Sequence, residues 1–397
     1  MKNKKPILPK KMKMVALIFD SVLPGAKNDF ICGIAMFAQK KNDIVLRSIE
    51  SAEIGRKGVL DGLDGIIVCT IDKDMVETLK ATGLPIVILR DTDDPKLIGV
   101  SLDVAKSAAM AAEWFLRRGF RNFAYCGIHG ISGNVEPDLN EKAFSAAVAK
   151  AGCECRIFDE AAVTKNAFGA KHLANLIAGL NAWIPTLPPR TAVLCMHDVR
   201  AINVLNVCLR LGRAVPDDIA IMGRANDVAL CQCAPVPISS IDINMRGRGY
   251  AAIRILANAI DNPVKAKSRP AFLVPPVGIV ERASTNTYPV NPPYLAKALL
   301  LIDENIERNI SMQELTEAVG VSRTTLQDAF RKTLGMSAKK YMLSVKMREA
   351  RRLTEGGRLS IKEIAARIGF SSGSHFSRTY HNFFGRSPKR DARMSIA

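Results

Sequence analysis

Two small sets of side chains near the end of the chain share one chemistry. Arg323, Thr324, Gln327, Asp328 and Arg331 form the first, and Ser374, His375, Ser377 and Arg378 the second. Each combines compact hydrogen-bonding groups with arginine at the three- and four-residue spacing that brings side chains together on one face of a helix. Such groups can read base edges by hydrogen bonding and hold phosphates by charge. A third set stands just after short apolar runs farther upstream: Asp20, Asn28, Asp29 and Phe30, then Arg90 and Asp91, then His129, His197 and Asp198, then Arg224, Asn226 and Asp227. Polar groups of both signs beside an aromatic plate suit a polyhydroxylated small molecule.

The elements that must carry the first two sets repeat. Ser311 and Ser360 each precede a Glu by three positions, Glu314 and Glu363, which is the capping-box pattern of a helix start. Met312, Leu315 and Val319, and Ile361, Ile364, Ala365 and Ile368, then keep the spacing of a helix packed along one stripe. Gly320 and Gly369 end these helices, and Ser322 and Ser371 are the expected N-caps of the next. The buried side of the second helices is expected to be Leu326, Ala329, Phe330 and Leu334 in one copy and Phe376, Tyr380, Phe383 and Phe384 in the other. Helix, tight turn and capped helix are the parts of a helix-turn-helix, here spanning 312–333 and 361–384. Residues 338–354 between the copies predict one helix about 25 Å long. A connector of that length can hold two reading helices near successive major-groove turns, which repeat at about 34 Å.

Upstream, residues 14–283 alternate short apolar runs with longer amphipathic stretches. MVALIF (14–19), GIIVC (65–69), PIVIL (85–89), FAYC (123–126), AVLCM (192–196) and IAIM (219–222) read as strands. This is the pattern of parallel sheets covered by helices on both faces, and a helix ending at RRGF (117–120) divides the strands into two lobes. The fold class is therefore a two-lobed α/β body followed by an all-α tail domain over 294–394, with STNTYPVNPP (284–293) as linker and 1–13 as a basic flexible tail.

The charge is distributed to match. The 397 residues carry a formal charge of +18, and from Pro292 onward 19 Lys and Arg face 10 Asp and Glu, so half of the surplus falls in the last quarter. That balance favours a polyanionic partner, nucleic acid or an anionic membrane, without choosing between them, and makes the last quarter the first suspect for double-stranded DNA. The start lacks the apolar core and cleavage site of a secretory signal, and no run of 18 apolar residues follows, so a cytoplasmic protein without membrane attachment is expected. The nine cysteines are expected to be free thiols. The pairs Cys153/Cys155 and Cys231/Cys233 lack a second ligand pair at zinc-site spacing, so no metal and no cofactor is expected. No G-x-G-x-x-G follows a strand, no P-loop is present and no G-x-S-x-G elbow joins a strand to a helix. Five histidines without a paired nucleophile give little support to catalysis, so the chain is not expected to be an enzyme.

The tail resembles the double helix-turn-helix domain of the AraC/XylS transcription regulators, through IAARIGF (364–370), FSRTY (376–380), FFG (383–385) and SP (387–388). That resemblance implies base contacts from Thr324, Gln327 and Asp328 in the first copy and from Ser374, His375, Ser377 and Arg378 in the second. Asp328 stands where the family is more often basic, and Gly373 replaces a longer side chain. The body is similar to the periplasmic-binding-protein-like effector domain of the LacI/GalR repressors, through LPIVI (84–88), VSLD (100–103), LRRGF (116–120), HDVRAINVL (197–205) and VPDDIAIMG (215–223), with LVPPVGIVER (273–282) at the junction. Regulators with both parts in this order bind a monosaccharide between the lobes and activate transcription as dimers. The resemblance thus implies regulation of carbohydrate use, a sugar-like effector such as xylose or a relative, a homodimer, and RNA polymerase as a partner. Asn140, before EKAF (141–144), stands where relatives carry Arg, and Ala225, in GRAND (223–227), where they carry Asp. Loss of a charged hydrogen bond typically costs about 1.5–3 kcal/mol, so the preferred ligand is expected to shift.

Overall fold

The structure, a computed structural model, describes residues 12–19, 24–69, 72–127, 139–164, 169–262, 270–355 and 359–394. The first lobe begins with β1 (Lys13–Phe19), α1 (Pro24–Lys41), β2 (Ile44–Ile49), β3 (Gly65–Cys69), α2 (Lys73–Lys80), β4 (Ile86–Ile88) and β5 (Leu97–Leu102). Helix α3 (Val104–Arg118) leads into the second: β6 (Asn122–Cys126), α4 (Leu139–Ala149), β7 (Cys155–Ile157), α5 (Glu160–Thr164), α6 (Gly169–Trp183), β8 (Thr191–Cys195), α7 (Asp198–Arg210), β9 (Ile219–Arg224), α8 (Val228–Cys233) and β10 (Ser239–Asp242). The chain then returns to the first lobe with α9 (Met245–Asp261) and β11 (Phe272–Val274), and to the second with β12 (Gly278–Val280). The sheet orders are β11-β5-β4-β3-β1-β2 and β12-β10-β9-β8-β6-β7. All neighbours run parallel except β10 and β12.

Parallel strands covered on both faces must be apolar at successive positions, which is why the strand runs do not alternate with polar residues. Val15 and Leu17 join the core that holds Phe30, whereas Ala16 and Ile18 join the opposite core with Met75 and Leu79. In the second sheet Val193 and Cys195 face one way and Ala192 and Leu194 the other. Burying each Val, Leu or Ile among them is worth about 1.5–3 kcal/mol.

The return of α9 requires it to lie directly on α1. A Cβ at Gly33 would stand 1.9 Å from the Arg246 carbonyl oxygen, and one at Gly249 would stand 2.0 Å from that of Phe30. Two glycines therefore let the helix backbones touch and fix the return of the chain. Phe30 is enclosed by this contact, fully buried and edge-on to Phe19 at 5.5 Å between ring centroids. The aromatic plate expected at the crevice is thus a core residue.

The tail domain contains α10 (Pro293–Glu304), α11 (Met312–Val319), α12 (Arg323–Leu334), α13 (Ala338–Glu355), α14 (Ile361–Arg367), α15 (Gly373–Phe384) and α16 (Pro388–Met394). Both capping boxes form, with Ser311 and Ser360 as N-caps. The second copy corrects one cap: Ser372, not Ser371, accepts the His375 amide at 3.2 Å, so α15 starts one residue later than expected. Phe383 is also corrected. It is 41% exposed, while Phe376 and Tyr380 are buried and the Tyr380 hydroxyl donates to Asp391 at 2.7 Å.

The segment 284–293 is not a free tether. Ser284 donates to the Ile221 carbonyl at 2.6 Å, the Thr285 and Ser239 hydroxyls meet at 2.6 Å, and Thr287 donates to Asp217 at 2.9 Å. Its first part is therefore stitched to the second lobe, and Tyr288 and Val290 sit in the core of the tail domain. Replacing Gly249 by Ala is expected to lower stability by about 1–3 kcal/mol or more through overpacking against backbone. The readout is a lower urea midpoint for the full chain; an unchanged midpoint would contradict the close contact.

Candidate DNA-reading face and effector crevice

Each copy in the tail builds its own small core, and α13 serves both. Its first half contributes Ala338, Tyr341 and Val345 to the core with Leu315, Leu326 and Phe330. Its second half contributes Met347, Ala350 and Leu353 to the core with Ile364, Ile368, Phe376 and Tyr380. The two units are thus set by one helix of 18 residues, about 27 Å long. On the outer faces, Arg323, Thr324, Asp328 and Arg331 are exposed and Gln327 half-buried; Ser374, His375 and Arg378 are exposed and Ser377 half-buried. Most of these side chains sit in the first two turns of α12 and α15, the part of a reading helix that enters a groove. Arg331 and Lys332 lie in the last turn of α12, where a cation complements the helix dipole as well as a phosphate.

In the body, the carboxyl ends of the parallel strands form the usual place for a ligand. Arg90 follows β4; its Nε is buried and has no hydrogen-bond partner among the described residues. Arg224 ends β9, and Asn226 follows with a positive φ of 55°. The Asn226 amide donates to Ser240 Oγ at 3.0 Å, and its side-chain oxygen accepts from Arg282 at 2.8 Å. Asn140 occupies the first turn of α4, close to Glu141. Asp29, on α1, pairs with Arg246 at 2.7 Å. Asp20 and His129 lie outside the described residues.

His197 and Asp198 divide their labour differently from the expectation. His197 is the N-cap of α7, its Nδ1 accepting the Arg200 amide at 3.0 Å. Asp198 is fully buried; it accepts from Ser240 at 2.5 Å and from the Asp227 amide at 2.7 Å, tying together the ends of β8, β9 and β10. Asp227 in turn caps α8. Sequence reasoning missed Ser240, Arg248 and Arg282. Arg248 is buried and donates to the carbonyls of Leu89 and Val100, so it braces the strand ends beside Arg90. These partners are 14 to 159 residues away from the groups that they hold, so no local pattern marks them.

The comparisons with known proteins match both parts. A model of the periplasmic binding protein-like domain matches residues 112–285, and a model of the helix-turn-helix domain residues 315–394. The chain is similar to the xylose operon regulatory protein of Escherichia coli, 27% identical over 340 residues that cover 84% of this chain and 85% of the relative. The protein of the same description from Haemophilus influenzae is 23% identical over 335 residues, covering 82% and 84%. Among solved structures, a xylose-binding transcription activator has the same fold over 97% of this chain and 98% of its own, with a TM-score of 0.60 at 24% identity.

The paired histidine and aspartate give a pH test. Burial first, then the Arg200 charge, push His197 down to about 4 from 6.5. The stability linked to its neutral form is complete above 6.5 and is lost as the pH falls through about 4. Burial lifts Asp198 to about 6 from 3.8, against the hydrogen bonds from Ser240 and Asp227. The stability linked to its protonated form is complete below 3.8 and is lost as the pH rises through about 6. The two effects oppose each other over one window. Replacing His197 by Asn, which keeps a capping acceptor, leaves the Asp198 effect alone. The unfolding free energy of the variant relative to wild type should therefore rise between pH 6.5 and 4 in urea titrations. A difference that does not vary with pH would contradict a neutral His197.

Proposed function

We propose, from the premise that this chain is a transcription regulator homologous to the xylose operon regulatory proteins, that a monosaccharide or close derivative binds between its lobes and thereby sets how its tail domain grips operator DNA. The observation that carries this reading is the joining of a two-sheet body to two helix-turn-helix units on one connector helix. Arg90, Arg224, His197 and Asn226 stand around those strand ends, and the buried Nε of Arg90 is a donor suited to a ligand oxygen. Ala225 and Asn140 leave the crevice without the Asp and Arg common in relatives, so a sugar acid belongs in the ligand panel beside neutral sugars. The chain acts as a cytoplasmic homodimer, without catalysis, and contacts RNA polymerase at the promoter; no described helix is long and apolar enough to cross a membrane.

On the DNA side, Arg323, Thr324, Gln327 and Asp328 meet one major-groove segment and Ser374, His375, Ser377 and Arg378 the next. Arg331 holds the backbone. Asp328 repels phosphate and suits a cytosine amino group, which gives the first unit its own sequence preference.

Calorimetry of the full chain against pentoses, hexoses and sugar acids is expected to find one binder, weakened about ten-fold by Arg90→Ala; silence across the panel would refute the effector reading. Operator binding should weaken steeply with salt, as counterion release requires. In mobility-shift titrations Arg378→Ala should cost about 1–3 kcal/mol, the range of a base contact, and Arg331→Ala less. Equal losses would show that the second unit does not dominate.

A further inference from the structure

The last turn of α3 ends at a buried charge that faces the tail domain. Arg118 is 5% exposed although it lies at the end of a surface helix. Its guanidinium is 4.2 Å from the Trp114 ring centroid and 4.6 Å from that of Tyr288, so it is held between an aromatic side chain of the body and one of the linker. Its Nη2 pairs with Glu281, just after β12, and with Asp303 of α10 at 3.0 Å. The Tyr288 hydroxyl donates to Asp303 at 2.6 Å and meets the Tyr341 hydroxyl of α13 at 2.8 Å. One guanidinium thus touches the second lobe, the linker and α10, and reaches α13 through one hydroxyl. The next residue, Gly119, has a φ of 95°, and a Cβ there would stand 2.8 Å from Val290.

Two routes connect this joint to the crevice. Helix α3 starts where β5 of the first lobe ends: Asp103 caps it, and the Asp103 amide donates to the Val274 carbonyl of β11 at 2.9 Å. Its 15 residues span about 22 Å and end at Arg118. The second route is shorter. Glu281 turns to Arg118, while the adjacent Arg282 turns to Asn226 at 2.8 Å and to the Ile238 carbonyl at 2.8 Å. A shift of the strand end beside Asn226 therefore moves the residue next to the Arg118 partner.

We propose that Arg118 is the positioning residue through which rearrangement of the crevice is passed to the DNA-binding domain, by its clamp between Trp114 and Tyr288 and its shared pairing with Glu281 and Asp303. The joint holds opposed forces. Two carboxylates, Glu281 and Asp303, share one cation. Arg117 beside it is exposed and pairs with Glu113 of the same helix, on the side where α13 carries Arg348 and Arg351. Arg118 Nη1 is buried with no hydrogen-bond partner among the described residues, so a second arrangement could gain a bond that this one lacks. Elements with two discrete arrangements of similar free energy are the ones that transmit a signal.

This inference rests on the effector reading above, so the test has one arm that uses no ligand. In hydrogen exchange of the full chain, Arg118→Ala should speed exchange about ten-fold or more across residues 284–304 while leaving α1 and α9 unchanged; equal exchange in that segment would overturn the joint. In the second arm, operator duplexes enriched from a random library are titrated with and without D-xylose. The ratio of the two affinities should fall towards one in Arg118→Ala and recover only in part in Arg118→Lys, which keeps charge but not the planar stack. D-xylose affinity by calorimetry should stay within about two-fold. A wild-type ratio retained in Arg118→Ala would overturn the proposal. If that variant does not fold, Tyr288→Phe and Asp303→Asn must each lower the ratio, and unchanged ratios in both would overturn it. Should D-xylose leave the wild-type ratio at one, the effector reading fails for that sugar, and the exchange arm alone decides the joint.

Discussion

A guanidinium withdrawn from water is stable only where anions and aromatic faces surround it, and Arg118 finds them only when three separate parts of the chain meet. Glu281 follows the last strand of the second lobe, Tyr288 lies in the segment after it, and Asp303 belongs to the first helix of the tail domain. Separation of the body from the tail domain would strand this charge. The contact of the two parts therefore satisfies a buried charge that neither part satisfies alone. The hydroxyl ladder of Ser239, Ser284 and Thr285 serves the same end, because it removes the slack that a ten-residue tether would otherwise have.

Within the tail domain the corresponding constraint is α13. A helix that gives its first half to one core and its second half to another cannot turn one helix-turn-helix unit without turning its neighbour. The capping boxes of α11 and α14 sharpen this arrangement by fixing where each unit begins. Glu314 closes the first cap by accepting the Ser311 amide at 2.7 Å, and the Arg308 guanidinium, then that amide, keep its carboxyl down at about 2. Rigid units on a rigid spacer make the separation of the reading faces a property of the fold.

At the strand ends of the body most of the polar groups are occupied by the fold itself. Asp198, Ser240 and Asp227 are occupied in joining strand ends, His197 in capping α7, and Arg248 in covering the carbonyls of Leu89 and Val100. Arg90 follows β4, and its Nε is buried without a hydrogen-bond partner among the described residues. Asn226 is occupied too: its side chain is held by Arg282 and its backbone is in the left-handed region.

The repeat in the tail was legible in the sequence because every signal it uses is local: a cap three residues from its partner, an apolar stripe at helical spacing, a glycine at each turn. The α/β body was legible for the same reason, since strands covered on both faces leave uninterrupted apolar runs. The fate of individual polar and aromatic residues was not. Phe30 and Asp198 have types that suit a ligand, yet the contact of α1 with α9 encloses one and the convergence of three strand ends encloses the other. Ser371 and Ser372 are equivalent in type, and only the geometry of the turn chose between them. Arg118 pairs with groups 163 and 185 residues away, and a segment with the composition of a tether became a docked strap. Local sequence sets which elements form, because their hydrogen bonds close within a few residues; which side chains are left free is set by contacts between distant segments, which exist only once those elements have packed.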